Sequence, residues 1–136
     1  SYGEKNMGLD MYLTGDKFTP THDGKHQRQK TDGYEVTSLR LDLGQWRKHW
    51  ALHNFIDQHY SDGERHETSL DPNQLLEIAE AVEQGRLPDA NYNPIIDDHY
   101  TEAEQVAKTA KIFRDASAWL QRDDGFWRDV EYTGNS

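Results

Sequence analysis

The chain has 136 residues, the length of one ordinary domain, and it carries 25 acidic side chains against 15 lysines and arginines. It contains no cysteine, which excludes a disulfide framework and thiolate chemistry. The net charge of −10 disfavours direct nucleic-acid binding through a basic surface, and no apolar run is long enough to span a membrane.

The first half of the chain predicts two strands separated by a loop. Residues 1–6 are interpreted as a tag remnant or disordered leader, and residues 7–136 as a single domain. Alternation of apolar side chains predicts a strand over 7–13 and a second strand over 34–43. The polar segment 14–33, rich in Gly and containing Pro20, predicts a mobile surface loop.

A change of period after Gly44 predicts a helix. The residues at steps of three and four are Trp46, His49, Leu52, His53 and Ile56, which would form one stripe. A second helix follows Asp71 as N-cap and Pro72 at the first helical position, with glutamates along its outer side.

The last third of the chain predicts a helix and a strand. Thr101 and Glu104 have the spacing of a capping box at the start of the third helix. Alternation over 126–132 predicts a final strand, interpreted as an edge strand. The predicted fold is α+β: a short, mostly antiparallel sheet with about three helices packed on one face.

The acidic side chains are concentrated in the middle of the sequence. Residues 57–104 hold thirteen Asp and Glu but only Arg65 and Arg86. The predicted acidic surface consists of Glu77, Glu80, Glu83, Asp97 and Asp98. Such a surface is either a solvated face that promotes solubility or a docking surface for a basic partner. A docking surface of this kind could imitate the phosphate backbone of a nucleic acid.

Two segments resemble a family of small phage and prophage proteins. "MGLDMYL" at 7–13 matches the opening motif of that family, and "GQWRKHWALHNF" at 44–55 resembles its Trp-Arg-Lys helix, which ends in Ile-His or Leu-His. The family is uncharacterised, so the resemblance implies an accessory protein in the cytoplasm of an infected bacterium and no particular reaction. His49 and Trp50 depart from the family pattern, in which these positions are small and polar.

Several side chains are candidates for binding. Trp46, Trp50 and His53, with Arg47 and Lys48, could line an aromatic pocket that binds a nucleotide, or they could simply form core. Asp10 lies in the first predicted strand, with Arg47 or Lys48 as a plausible partner.

Metal binding and catalysis have weaker support. His49 and His53 are four residues apart, the spacing of two zinc ligands on a helix, but Trp50 stands where a zinc protease needs Glu. They are weak candidates, and no metal or other cofactor is predicted. Asp97–Asp98–His99 is the other acid–base candidate, and no nucleophile or phosphate-loop motif occurs.

These observations favour a non-enzymatic acidic protein that binds and inhibits a host protein with a basic surface, without contacting nucleic acid or membrane directly. A nucleotide- or metal-binding protein or hydrolase with a site near His53 and Asp10 is the alternative, and a structural virion component is the third. The sequence leaves the oligomeric state open.

Overall fold

The structure, a computed structural model, describes residues 8–19, 27–61, 67–88 and 102–135. These residues form six strands and three helices, and they confirm the predicted α+β class. In chain order the elements are β1 (Asp10–Phe18), β2 (Lys30–Thr31), β3 (Tyr34–Glu35), β4 (Ser38–Arg47), α1 (Trp50–Tyr60), β5 (Glu67–Ser69), α2 (Pro72–Glu83), α3 (Glu102–Leu120) and β6 (Trp127–Asn135).

The main sheet has four strands in the order β4-β1-β6-β5, and every pair in it is antiparallel. β6 therefore lies between β1 and β5, and the prediction of an edge strand is wrong. The alternation of side chains in β6 shows that one side of the strand faces the core, where Val130 and Tyr132 are buried, and not that the strand lies at an edge. A separate hairpin joins β2 to β3 through Asp32 and Gly33, both with positive φ.

The two faces of the main sheet have different surroundings. The helical face carries the buried residues of β1 and β6, and α1 and α3 lie over it while α2 packs against α3. We call the other side the open face. By strand register, the open face consists of Asp10, Tyr12, Thr14, Asp16, Phe18, Ser38, Arg40, Asp42, Gln45, Arg47, Glu67, Ser69, Trp127, Asp129, Glu131, Thr133 and Asn135.

β1 is longer than the apolar alternation indicates. The predicted loop over 14–33 begins inside the strand, because β1 runs to Phe18 and is paired on both sides. Thr14 and Asp16 are polar because they lie on the open face, whereas Gly15 is buried on the helical face. A Cβ atom built on Gly15 would lie 2.8 Å from the Trp119 ring, so glycine allows α3 to approach the strand. Residues 20–26 of that predicted loop lie outside the described residues.

β4 occupies part of the segment predicted as the first helix. The strand continues to Arg47, and α1 begins only at Trp50. A β-bulge places Leu43 as an extra residue between the Thr14–Asp42 and Leu13–Gly44 pairs. The bulge changes which parity of residue faces the helices, so Trp46 in the strand lies on the helical face, and its three-residue spacing from His49 placed it in the predicted helical stripe.

The second helix has the predicted start signals. Asp71 is the N-cap of α2, and its side chain and that of Gln74 form a reciprocal capping box, with Pro72 at the first position. Gly85 follows the helix with a φ of +68°. The buried side of α3 contains Thr109, Ala110, Phe113, Ala116 and Ser117, while Thr101 lies outside the described residues.

The core lies between the helical face and the three helices. Its buried hydrophobic residues are Leu9, Met11, Leu13, Leu52, Phe55, Ile56, Leu70, Leu75, Ile78, Ala79, Ala81, Val82, Ala110, Phe113, Ala116, Val130 and Tyr132. In the part of the chain that is described, no helix is both long and apolar enough to cross a membrane.

Candidate functional site

Trp46, the first residue of the predicted aromatic pocket, is a packing residue. Its indole stacks on Phe113 with 5.3 Å between ring centroids and 12° between ring planes. Its Nε1 donates a hydrogen bond of 3.0 Å to Oγ1 of Thr109. Both partners belong to α3, so Trp46 fastens the end of β4 to that helix.

Asp10 and Arg47 form an ion pair across β1 and β4 on the open face. Their closest atoms, Oδ1 and Nε, are 3.7 Å apart, and both side chains are more than half exposed. Arg47 was one of the two predicted partners of Asp10. Because the pair is solvated, we expect it to contribute little to stability.

Lys48 forms the turn between β4 and α1. Its φ of +58° is the left-handed conformation that side chains rarely adopt, and its N–H donates to the Leu9 carbonyl at 2.7 Å. Its side chain lies against Gly8, where an added Cβ would be 2.5 Å from Lys48 Cε.

His49 is the N-cap of α1, not a residue of its interior. Its Nδ1 accepts a hydrogen bond from the Leu52 N–H at 3.4 Å, a role usually taken by Asp, Asn or Ser. Burial lowers the pKa of His49, which favours the neutral ring that this acceptor role requires.

His53 extends from α1 toward the end of β6. Its Nδ1 lies 2.7 Å from the Tyr132 hydroxyl, and its ring meets Trp50 edge to face. A Cβ on Gly134 would be 2.6 Å from the same Nδ1, so the ring lies directly on the strand. Burial, with the charge of Asp57 as a smaller cause, raises the pKa of Tyr132 far above its usual value and keeps the hydroxyl protonated.

The structure therefore separates the predicted binding residues. Arg47 and Asp10 lie on the open face, whereas Trp46 and His53 contact elements on the helical face. Asp10 and His53 thus do not meet in one site. Among the residues described, no group of three or more His, Asp and Glu side chains could hold a metal ion.

The glutamates on the outer side of α2 are partly neutralised. Glu83 makes a two-point contact with the guanidinium of Arg114, and this hydrogen bonding lowers its pKa. Glu77 accepts a hydrogen bond of 3.3 Å from the Tyr60 hydroxyl. Glu80 is exposed, and Asp97 and Asp98 lie outside the described residues.

The open face carries a second, larger group of acidic side chains. Among the residues that the structure describes, six carboxylates lie there against two guanidinium groups, those of Arg40 and Arg47. The six are Asp10, Asp16, Asp42, Glu67, Asp129 and Glu131. They come from all four strands, so the sheet brings together charges that are far apart in the sequence.

Arg40 lies among three of these carboxylates. Its Nε and Nη2 donate to the two oxygens of Asp16 at 3.0 and 3.2 Å, and Glu131 and Glu67 also contribute to its raised pKa. Burial and then the charge of Asp16 raise the pKa of Asp129. Burial and then the charge of Glu67 raise the pKa of Glu131, which indicates mutual repulsion that one guanidinium does not remove.

Exposed aromatic side chains lie on the open face together with these carboxylates. Phe18 and Trp127 are cross-strand neighbours at one end of the open face, with exposed fractions of 46% and 77%. Tyr12 lies further along β1 and is 39% exposed. Exposed large aromatic rings beside unpaired carboxylates are typical of an interaction surface.

Sequence reasoning missed this face because it summed charge along the chain. Residues 1–56 and 105–136 are nearly neutral, yet they supply five of the six carboxylates. The available signal was the alternation along the strand, which places the polar side chains of Thr14 and Asp16 on the same side as Phe18.

A shallow cavity of about 420 Å³ lies between β4 and α3. It is lined by Leu43, Ile112, Asp115, Ala116, Ala118, Trp119 and Arg122. None of the predicted binding residues takes part in it.

The comparisons with known proteins give no relative: no family model, no curated protein and no solved structure matches this chain.

Proposed function

We propose that this chain is a non-enzymatic binding protein whose open face docks on a basic surface of a partner protein. The observation that carries the proposal is the grouping of six carboxylates and three exposed aromatic rings on one side of the sheet. In this proposal the open face is the main acidic surface, in place of the outer side of α2, where Arg114 already pairs with Glu83.

The charge balance of the open face supports a basic partner. Arg47 and Arg40 pair with Asp10 and Asp16, and between described residues the other four carboxylates make no ion pair. Burial is the larger cause of the raised pKa values of Asp129 and Glu131, and lysine or arginine side chains from a partner would relieve the repulsion that adds to it. Complementary charge would also accelerate the encounter with such a partner.

The aromatic end of the face supports a protein partner. Trp127 and Phe18 offer two neighbouring ring faces, on which an arginine or lysine can lie with favourable cation–π contact. Tryptophan and tyrosine are also the residues that most often dominate the energy of protein interfaces.

The resemblance of the opening motif to phage proteins suggests a bacterial host protein as the partner and inhibition as the outcome. A basic protein that handles DNA is one version, in which the carboxylates take the place of phosphates. Between described residues, His53 contacts the Tyr132 hydroxyl and the Trp50 ring, and these packing contacts do not favour an enzymatic or metal-dependent alternative.

The proposal can be tested with affinity capture from bacterial lysate followed by mass spectrometry, at low and high salt. The matched baits are wild type, Asp129→Asn/Glu131→Gln on the open face, and Glu77→Gln/Glu80→Gln on α2. We expect basic proteins to be captured at low salt and released at high salt, because screening shortens electrostatic range to about 3 Å at 1 M.

Affinity for one captured protein, measured by titration, then compares the two surfaces. We expect the open-face variant to weaken binding about fivefold, from roughly 0.5 kcal/mol for each lost charge contact, and the α2 variant to leave it unchanged. Equal losses from both variants would refute the open face as the docking surface. Recovery of no basic protein at low salt would refute the proposed function itself.

A further inference from the structure

β4 is an edge strand with a free side. It is ten residues long and pairs with β1, and no other strand of the described residues pairs with it. Leu39 and Leu41 belong to its helical face, yet 43% and 37% of their surfaces remain exposed. An exposed strand edge with apolar side chains is a template for pairing with another strand.

The direction of its peptide groups is defined by the pairing with β1. Thr37 accepts the N–H of Thr19, and hydrogen-bonded and non-hydrogen-bonded pairs alternate along an antiparallel ladder. Leu39 and Leu41 therefore direct their peptide groups toward β1. Arg40 and Asp42 direct theirs away from the sheet, where a further strand could pair with them.

The sequence of this edge is complementary to itself. Residues 39–43 read Leu-Arg-Leu-Asp-Leu, with an arginine and an aspartate placed symmetrically about the central leucine. If the strand is turned end for end about Leu41, Arg40 comes opposite Asp42 on the open face. Leu39 then comes opposite Leu43 on the helical face.

We propose that β4 pairs antiparallel with β4 of a second copy of this chain, about a two-fold axis at Leu41. The pairing joins two four-stranded sheets into one. It forms two reciprocal Arg40–Asp42 ion pairs on the open side and a cluster of six leucines on the helical side. A two-fold axis normal to the sheet places both sets of helices on the same side.

Charge selects this register among the symmetric ones. Centring the pair on residue 40 would place two arginines opposite each other, and centring it on residue 42 would oppose two aspartates. Like charges directly opposite destabilise a strand pair, whereas opposite charges stabilise it. Of the registers centred on residues 40, 41 and 42, the one centred on Leu41 places opposite charges together.

The cavity beside β4 agrees with this arrangement. Ile112 and Trp119 line it together with Leu43, so the leucine cluster of the paired strands would lie beside apolar walls from both copies of α3. The bulge at Leu43 ends the regular segment, which limits the pairing to about five residues and favours a reversible dimer.

The test measures mass in solution across a concentration series, by analytical ultracentrifugation of the whole chain. We expect wild type to approach twice the 15.8 kDa of one chain as concentration rises. Arg40→Glu and Asp42→Arg should each weaken association about tenfold or more, because each turns two attractive pairs into repulsive ones. When the two variants are mixed, every cross-strand pair is attractive again, and we expect a heterodimer.

A second pair of variants covers the case in which Arg40→Glu fails to fold beside Asp16. Leu41→Lys should abolish the dimer, and Val106→Lys, at a position on α3 exposed to a similar extent, should leave it intact. A wild type that stays monomeric at every concentration would overturn the proposal. So would a dimer that persists in both Leu41→Lys and Asp42→Arg. The measurement involves no partner protein, so its failure leaves the proposed function unaffected.

Discussion

The hydrogen bond between Trp46 and Thr109 gives a direct test of how β4 meets α3. In Thr109→Val the shape of the buried side chain is kept, but the acceptor for Trp46 Nε1 is lost. An unsatisfied donor costs about 1–3 kcal/mol, and since Trp46 is only partly buried we expect about 1 kcal/mol. For a domain of this length that loss corresponds to about 3 °C in melting temperature.

The assay is a double-mutant cycle by chemical denaturation, with Trp46→Phe as the second change. If the two side chains are bonded, the double variant should be more stable than the sum of single losses predicts, by about 1 kcal/mol. Thr109→Ser, which keeps the hydroxyl, is the control and should show little coupling loss. A coupling energy near zero would refute the hydrogen bond between Trp46 and Thr109.

Two further predictions concern groups with shifted pKa values. Because the pKa of His49 is lowered in the folded protein, we expect wild type to lose stability as pH falls below 6.5, whereas His49→Asn keeps a side-chain acceptor at the N-cap and should not show this loss. His49→Ala removes the acceptor and should cost about 1 kcal/mol. Thermal melts across pH would show no such difference between the variants if His49 is not the cap. The raised pKa of the Asp129 carboxyl makes folding less favourable as pH rises. Asp129→Asn should therefore raise the melting temperature at neutral pH and leave it unchanged below pH 3.8. An increase in melting temperature that is the same at every pH would contradict this reasoning.

The parts of the fold that local signals determine were predictable. Asp71, Pro72 and Gln74 lie within four residues and determine how α2 begins, so no tertiary information is needed. The stripe of α3 was predictable for the same reason, since Phe113 and Ala116 repeat at helical spacing.

The end of β4 could not be predicted in this way. The bulge at Leu43 exists only because β1 pairs with β4, and it places Trp46 on the helical face at a spacing that also fits a helix. Periodicity within one segment cannot distinguish these cases, because Met11, the residue of β1 that pairs with Trp46, lies outside that segment and far away in sequence.

The open face was unpredictable for a related reason. Asp16 and Asp129 are neighbours in register but separated by most of the chain, so summing charge along segments cancels them against distant lysines. The prediction left Arg47 and Lys48 open as partners of Asp10, and the structure shows Arg47; even so, the prediction identified one solvated ion pair and not the surface around it.

The bulge in β4 also has a consequence for how this protein tolerates length changes. Residues before Leu43 and residues after it follow opposite parity rules, because Leu43 is the extra residue between the Thr14–Asp42 and Leu13–Gly44 pairs. Deleting Leu43 would make the ladder regular and keep Asp42, Gly44 and Trp46 on their present faces, so the deletion should cost mainly the packing of the Leu43 side chain against the core. Inserting a residue elsewhere in the strand would instead turn one part of it over. Insertions are better placed in the β2–β3 turn, where Gly33 has open space around it.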